Sequence, residues 1–188
     1  EKYKDQIKIN IGAEVDYIEG FEEEIKNNLN KYGEYLEDSI LSVHMIKIED
    51  KYYCMDFSCE EFEKIVNLLG SVESVYNLYY ETLIKAINSD LGKYKPKRIG
   101  HLNLVRKYNK KFPYDYSNNK KLKELVKLIS DRGYELDYNV AGLFKKDCGE
   151  TYISGYLEEL IKQYNIKLVL GSDSHSAKYI DKYEEFNE

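Results

Sequence analysis

The sequence predicts an α/β fold whose strands pair in parallel, and three observations support this. Short apolar segments alternate with longer amphipathic ones, several longer segments carry helix-capping residues, and glycine or polar turn residues separate the two kinds. Strands that are joined through helices pair in parallel, which leaves either a doubly wound sheet or a barrel. The 188 residues contain no evident linker, so we expect a single domain over residues 1–188.

The first predicted strand runs from Ile7 to Val15, where apolar and polar residues alternate, and it ends at or just after Glu14. A helix from Phe21 to Tyr32 follows, with three glutamates in its first turns, where the helix dipole favours negative charge. Gly33 stands where a C-terminal glycine commonly ends a helix. A second strand, which carries His44, is predicted from residue 38 to residue 46.

Capping signals predict the next two helices. Ser58 and Glu61 have the spacing of a capping box, so one helix begins after Ser58 and ends at Gly70. Ser71 can cap another helix that runs to about Ile87.

The C-terminal half continues the alternation. Strands are predicted from Lys97 to Leu104, from Tyr134 to Val140 and from Ile166 to Leu170. Helices are predicted from Asn118 to Asp131 and from Tyr152 to Tyr164.

Composition excludes several functional classes. The net charge of −6 argues against nonspecific binding of the whole surface to nucleic acid or to anionic membranes. No segment has the apolar length of a membrane span and the N-terminus does not resemble a signal peptide, so we expect a cytoplasmic protein. Cys54, Cys59 and Cys148 form no Cys-x-x-Cys pair, which indicates neither a disulfide framework nor a cysteine zinc site.

The three histidines indicate a metal site. His44, His101 and His175 each lie in or after a predicted strand, Glu14 lies near the end of the first strand, and Asp173 lies two residues before His175. Ligands of parallel α/β folds collect where strands end. Imidazole and carboxylate without thiolate suit zinc, iron or manganese. The alternative is that each histidine packs in the core or is solvated, and that residues 172–174 form only a turn or helix cap.

Asp173 and His175 follow the last predicted strand, which Gly171 closes. If the chain stays extended there, both side chains point to the same face. The pair would then serve as metal ligands or as an acid and base.

These residues stand in motifs that resemble the PHP-type histidinol-phosphatases, a group of metal-dependent phosphoesterases. The matching pieces span the chain and keep the family's order: residues 11–18, 42–44, 99–108, 142–145 and 170–175. The resemblance implies a distorted (β/α)7 barrel of the TIM type that holds up to three metal ions at its mouth. It also implies hydrolysis of L-histidinol phosphate, a small phosphate monoester, in histidine biosynthesis.

The resemblance also implies roles for single residues. Glu14 would bridge the first and second metals, and His44 and His101 would complete the second. Asp173 would bind the first metal and His175 the third. Which of Asp173 and His175 protonates the leaving alkoxide is left open.

The substrate contacts follow from the same motifs. Arg106 is the candidate to bind the negatively charged phosphate of the substrate, together with Lys145. Glu150 would face the substrate's amine or imidazole. Two positions depart from the family pattern: Asn103 stands where aspartate is expected, and Phe144 where arginine is expected. A lysine cannot replace a bidentate arginine, because its ammonium is a point charge.

Family members carry a His-x-His strand upstream of the Glu14 motif, and the present sequence begins close to that motif. We therefore expect these residues to correspond to the larger, C-terminal part of the family barrel. Alone, they should bind close to one metal ion per chain, hydrolyse histidinol phosphate weakly and self-associate through unpaired strand edges. Two alternatives remain: a phosphoesterase of the same family acting on another small monoester, and a non-catalytic fragment of the fold.

Overall fold

The computed structural model describes residue 3 and residues 5–177. Within that part of the chain, helices connect successive strands of the main sheet, as the sequence predicts. In chain order the elements are β1 (Glu14–Asp16), α1 (Glu22–Tyr32), β2 (Ile40–Ser42), β3 (Met45–Ile48), β4 (Lys51–Cys54), α2 (Cys59–Leu69), α3 (Val72–Asn88), β5 (Arg98–Ile99), α4 (Lys120–Asp131), β6 (Glu135–Asn139), α5 (Gly155–Gln163) and β7 (Leu168–Gly171). Short 3-10 turns cover Gly33–Tyr35, Leu104–Arg106 and Ala141–Phe144.

Five strands form one parallel sheet in the order β1-β2-β5-β6-β7. Their register places Glu14 opposite Ile40, and Ile40 opposite Arg98. The predicted α/β class with parallel pairing is therefore confirmed. Because all five strands run in the same direction, the loops that follow them lie together at the carboxyl-terminal end of the sheet.

The paired strands are shorter than predicted. Residues 7–13 belong to no strand of the described chain, and Ile7, Ile9 and Ile11 are exposed at 58%, 73% and 64%. The alternation of apolar residues there therefore does not mark a buried face. β5 likewise ends at Ile99, so His101 lies beyond the strand rather than inside it.

The second predicted strand is wrong in its extent. β2 ends at Ser42, and the chain then enters the antiparallel hairpin of β3 and β4. The hairpin was missed because its two turn residues are Glu49 and Asp50, which lack the usual Asn-Gly or Asp-Gly signal. Glu49 adopts a φ of 54° there without being a glycine.

The predicted helix caps are confirmed. The Ser58 hydroxyl accepts a hydrogen bond from the Glu61 amide at 3.1 Å, and Gly70 ends α2 in the left-handed conformation. Ser71 caps α3 in the same way through the Ser74 amide. Gly33 behaves differently: its φ is −64°, and α1 runs on into a 3-10 turn there.

Replacing Ser58 with alanine is expected to lower the free energy of unfolding by about 1 kcal/mol, because the Glu61 amide loses its acceptor. Ser154→Ala is the matched control, since Ser154 occupies the N-cap position of α5 without a side-chain capping bond. Urea unfolding of both variants checks the difference. Equal losses would show that the Ser58 hydrogen bond does not stabilise α2.

The core is rich in tyrosine, and α3 supplies much of it. Tyr76, Tyr79 and Tyr80 are fully buried on this helix. A buried tyrosine hydroxyl needs a partner. That of Tyr80 donates to the Asn103 side chain at 2.7 Å, and that of Tyr79 donates to a backbone carbonyl at 3.4 Å.

The start of the last helix also differs from the prediction. α5 begins at Gly155, because residues 152 and 153 pack as buried loop before the helix starts.

All three cysteines are free thiols, as expected. No helix of the described residues is long and apolar enough to cross a membrane.

Candidate metal centre

Three side chains meet at neighbouring strands of the sheet, although Glu14 begins β1 and does not end it as predicted. Glu14 lies in β1, His44 follows β2 by two residues, and His101 follows β5 by two residues. Since β1, β2 and β5 are adjacent and parallel, their following segments lie side by side. Residues separated by up to 87 positions along the chain therefore come into contact.

The distances among these three side chains are short. The His101 Nε2 donates to Glu14 Oε1 at 3.0 Å, and the His44 Nε2 lies 3.8 Å from the same oxygen. The two imidazole rings meet edge to face with centroids 4.7 Å apart. One ligand atom from each residue lies within 4.8 Å of the others.

This donor set fits a divalent metal ion. Two imidazole nitrogens and a carboxylate oxygen form a common set of three protein ligands, which leaves coordination positions for water or substrate. Ligand bonds of about 2.0–2.2 Å place neighbouring donors roughly 3–4 Å apart, close to the observed separations. No thiol belongs to the cluster, so imidazole and carboxylate chemistry governs the choice of ion.

The electrostatics keep Glu14 ionised. The hydrogen bond from His101 is the largest influence on this carboxylate, and it lowers the pKa of Glu14 to about 2 against the opposing effect of burial. For His44, burial favours the neutral imidazole, but the hydrogen bond and charge of Asp16 outweigh burial and raise the pKa. A carboxylate that stays charged can bind a cation without first losing a proton.

Close packing holds His101. The side chain is 2% exposed, and the edge of the Tyr152 ring lies against it with centroids 6.2 Å apart. The Tyr79 hydroxyl donates to the His101 carbonyl oxygen. A Cβ on Gly100 would lie 2.2 Å from the Ser42 hydroxyl oxygen, so a glycine before the histidine lets β5 approach β2 closely.

Asp173 and His175 follow β7, but the chain between them is not extended. Asp173 has a φ of 51°, and the His175 Nδ1 lies 2.9 Å from the Asp173 carbonyl oxygen. The expectation that extended pairing puts both side chains on one face is therefore wrong, because a left-handed residue turns the chain. The His175 side chain is 82% exposed and lies 3.7 Å from an Asp173 carboxylate oxygen. Within the described chain, neither residue belongs to the three-residue cluster.

Arg106 and Glu150 form an ion pair with each other, from Nε to the carboxylate. The guanidinium also lies over the Tyr116 ring, 4.5 Å from its centroid. Their side chains are 13% and 28% exposed. Lys145 is exposed on the loop between β6 and α5.

A cavity of about 300 Å³ adjoins the Arg106 and Glu150 pair. Its walls come from the β5–α4 loop, the β6–α5 loop and the start of α5. The charged and aromatic residues that line it are Arg106, Tyr114, Asp115, Tyr116, Glu150 and Tyr156. Both loops follow strands of the parallel sheet, as do the segments that carry His44 and His101. The lining contains one guanidinium and two carboxylates, a formal charge of −1.

The two departures from the family motifs have different surroundings. Asn103 is fully buried, and its side-chain oxygen accepts a hydrogen bond from the Tyr80 hydroxyl. It is therefore part of the core beneath the β5–α4 loop. Phe144 is 47% exposed. Gly142, two residues earlier, lies so close to the carbonyl oxygen of Glu150 that an added Cβ would be 2.3 Å from it.

Sequence reasoning missed two charged groups near the histidines. Lys107 donates to the Asp56 carboxylate at 2.9 Å and to the Asp56 carbonyl oxygen at 2.6 Å. Burial alone would raise the pKa of Asp56, but the bond to Lys107 lowers it, and the Asp56 charge also acts on His44. Lys107 stands next to Arg106 in the same motif, which was the available signal. Asp56 follows the hairpin that the sequence did not reveal.

Asp137 was missed as well, because it lies inside the predicted strand β6. It is 5% exposed, burial raises its pKa, and the Asn139 amide donates to it at 2.9 Å. A Cβ on Gly171 would lie 1.7 Å from an Asp137 oxygen, so the glycine that ends β7 makes room for this carboxylate. The charge of Asp173 also acts on Asp137.

Comparisons with known proteins agree on one family. The model of the PHP domain matches residues 1–141. A histidinol-phosphatase of Bacillus subtilis is 43% identical over 193 aligned residues, which cover 100% of this chain and 71% of the relative. A protein of Schizosaccharomyces pombe assigned as a histidinol-phosphatase is 29% identical over 96% of this chain and 58% of its own length.

The crystal structure of a Listeria monocytogenes protein, assigned as a histidinol phosphatase, has the same fold. It superposes with a TM-score of 0.92 at 37% sequence identity. The match covers 98% of this chain and 71% of the Listeria chain. The similarity therefore extends over nearly all of the present sequence.

Proposed function

This chain belongs to the PHP-domain family, and on that premise we propose that it hydrolyses L-histidinol phosphate to L-histidinol and phosphate in histidine biosynthesis. It is a phosphoric monoester hydrolase of the histidinol-phosphatase type. The observation that carries this proposal is the convergence of Glu14, His44 and His101 on the loop side of the sheet. The same three residues carry the family resemblance in the sequence.

We propose that Glu14, His44 and His101 hold a divalent ion of zinc, manganese or iron. Such an ion supplies Lewis-acid chemistry: it polarises phosphoryl oxygens and lowers the pKa of water. The residues themselves supply a carboxylate that is already ionised and two imidazoles on backbone held by the sheet. These features reduce the reorganisation needed when the ion binds.

Asp173 and His175 are the proposed second group of ligands and proton donors. They follow β7 and lie on the same side of the sheet as the three-residue cluster. The exposure of His175 lets it exchange protons with solvent, which suits a group that protonates the leaving alkoxide. Asp173 would bind a further ion.

The cavity beside Arg106 is the proposed site for the rest of the substrate. Histidinol phosphate carries an ammonium group and an imidazole, and tyrosine rings with two carboxylates suit an aromatic cation. Glu150 is the carboxylate nearest the Arg106 guanidinium and would face the amine or imidazole. Arg106 and exposed Lys145 would contribute the positive charge for the phosphate.

We further propose that residues 1–188 form one PHP domain and that the parallel sheet belongs to a distorted (β/α)7 barrel. The sequential strand order β1-β2-β5-β6-β7 supports this, because consecutive strands of a barrel lie next to each other. The edges of this sheet, at β1 and β7, are also where we propose that the chain self-associates.

Assays on a panel of phosphate monoesters test the function. With added manganese or zinc, kcat/KM for histidinol phosphate should exceed that for an alkyl phosphate without ammonium or imidazole by at least about 100-fold, or roughly 3 kcal/mol. This follows because only histidinol phosphate can fill the tyrosine-lined cavity with a cation.

Each other outcome identifies an alternative. Equal turnover of all monoesters would show a phosphoesterase without this specificity. No turnover of any monoester, in protein shown to contain metal, would contradict the enzymatic proposal and favour a non-catalytic domain.

A further inference from the structure

Asp16 lies beside the candidate metal centre and contacts one of its histidines twice. The Asp16 Oδ1 accepts a hydrogen bond from the His44 backbone amide at 3.1 Å and from the His44 Nδ1 at 3.2 Å. The Asp16 side chain is 34% exposed and that of His44 is 25% exposed. One carboxylate oxygen thus fixes both the ring and the main chain of His44.

The placement of Asp16 follows from strand geometry. Glu14 and Asp16 are two residues apart in β1, so their side chains point to the same face. Asp16 lies opposite Ser42 in the register, and the chain from Ser42 leads directly to His44. The strand therefore presents Glu14 to both histidines and Asp16 to the far nitrogen of His44.

The two nitrogens of His44 have different neighbours. The Nε2 faces Glu14 Oε1 at 3.8 Å, and the Nδ1 faces Asp16 at 3.2 Å. A carboxylate accepts hydrogen bonds and cannot donate, so it places the single proton of a neutral imidazole on Nδ1. The lone pair of Nε2 is then directed at the cluster.

His101 provides a contrast within the same cluster. Its Nδ1 is buried and has no hydrogen-bond partner among the described residues. Packing against Tyr152 and nearly complete burial hold its ring instead. His44, which is more exposed, depends on a polar partner for its orientation.

We propose that Asp16 is a positioning residue that holds His44 in the Nδ1-protonated tautomer, with Nε2 presented to the metal. Carboxylate groups of this kind orient metal-binding histidines and raise their basicity. The inference rests on the proposed metal site, but the tautomer of His44 can be measured without metal. An error in the proposed metal site can therefore be distinguished from an error in the proposed role of Asp16.

The test measures metal affinity and the tautomer separately. In Asp16→Ala, the Kd for Mn²⁺ or Zn²⁺ from equilibrium dialysis should rise by about 10–100-fold, while saturating metal still fills the site. Asp16→Asn retains an acceptor oxygen and should lose less. In the metal-free protein, ¹⁵N spectra at a pH where His44 is neutral should show protonated Nδ1 in the wild type and a shift toward protonated Nε2 in Asp16→Ala.

Asp56→Asn is the matched control. Asp56 also places a negative charge near His44, but its carboxylate pairs with Lys107. This variant should leave the tautomer unchanged and alter the Kd by less than Asp16→Ala does. If the Asp56 variant weakened binding as much, nearby charge and not the hydrogen bond would be responsible.

Two results would overturn the proposal. Unchanged affinity and tautomer in Asp16→Ala would show that His44 needs no positioning. Loss of a bound ion at saturating metal would show that Asp16 is itself a ligand. Asp16→Leu, which is close in size and cannot accept a hydrogen bond, answers both questions if the alanine variant does not fold. A wild type that binds no metal would contradict the metal site alone, and the spectra would still report on Asp16.

Discussion

Replacing His44 with alanine is expected to remove the metal ion that we propose Glu14, His44 and His101 hold, and to lower kcat/KM for histidinol phosphate by at least about a thousandfold, or roughly 4 kcal/mol. The physical reason is that only two protein donors remain, and water must take the place of an imidazole. Metal analysis of the dialysed protein and steady-state kinetics measure the two effects.

His175→Ala is the matched control for metal content, because it makes the same change at a histidine that is 82% exposed and outside the cluster. It should leave the ion at Glu14, His44 and His101 in place. Circular dichroism of His44→Ala establishes that the fold is retained. Wild-type metal content in that variant would reassign His44 to packing.

Replacing Arg106 with glutamine is expected to lower the free energy of unfolding by about 2–3 kcal/mol. The Glu150 carboxylate, 28% exposed, then loses its charged partner, and the Tyr116 ring loses the cation above it. Breaking a fully buried pair costs about 3–5 kcal/mol, and partial exposure reduces that value here. Urea unfolding at neutral pH measures the loss.

A double variant separates the structural role of Arg106 from its proposed contact with phosphate. Arg106→Gln combined with Glu150→Gln replaces the ion pair with two neutral amides, so most of the lost stability should return, with a coupling of about 1–3 kcal/mol. Glu150→Gln alone is the reference for KM, because Glu150 is itself a proposed substrate contact. If Arg106 also contributes to phosphate binding, KM is higher in the double variant than in Glu150→Gln. An Arg106→Gln variant as stable as the wild type would contradict the structural role.

The fold shows where local patterns suffice. Ser58 and Ser71 correctly predict where α2 and α3 begin, because a cap is a hydrogen bond between a side chain and an amide only three residues away. Strand extent was predicted less well, since a strand ends where its neighbour stops pairing. Ile7, Ile9 and Ile11 alternate as in a strand, yet no neighbouring strand of the described chain covers them.

The candidate site shows the same division. His44 and His101 could be singled out because the sequence has only three histidines, and Glu14 because it lies near the end of a predicted strand. Asp16 and Asp137 were not, because an aspartate near a strand end is common and only its contacts distinguish it. Asp173 and His175 were chosen correctly as neighbours of β7, but their relative direction depended on the φ of Asp173.

By itself the sequence determined the α/β class, the capped helices, the family resemblance and the residue types of the candidate metal centre, because all of these depend on composition, spacing and short-range hydrogen bonds. Only the tertiary structure decided which groups share a contact. The 3.0 Å approach of His101 to Glu14 spans 87 positions, and the bond from His44 to Asp16 spans 28. Such contacts depend on strand register and on close backbone packing such as that at Gly100. No local sequence pattern specifies either of these.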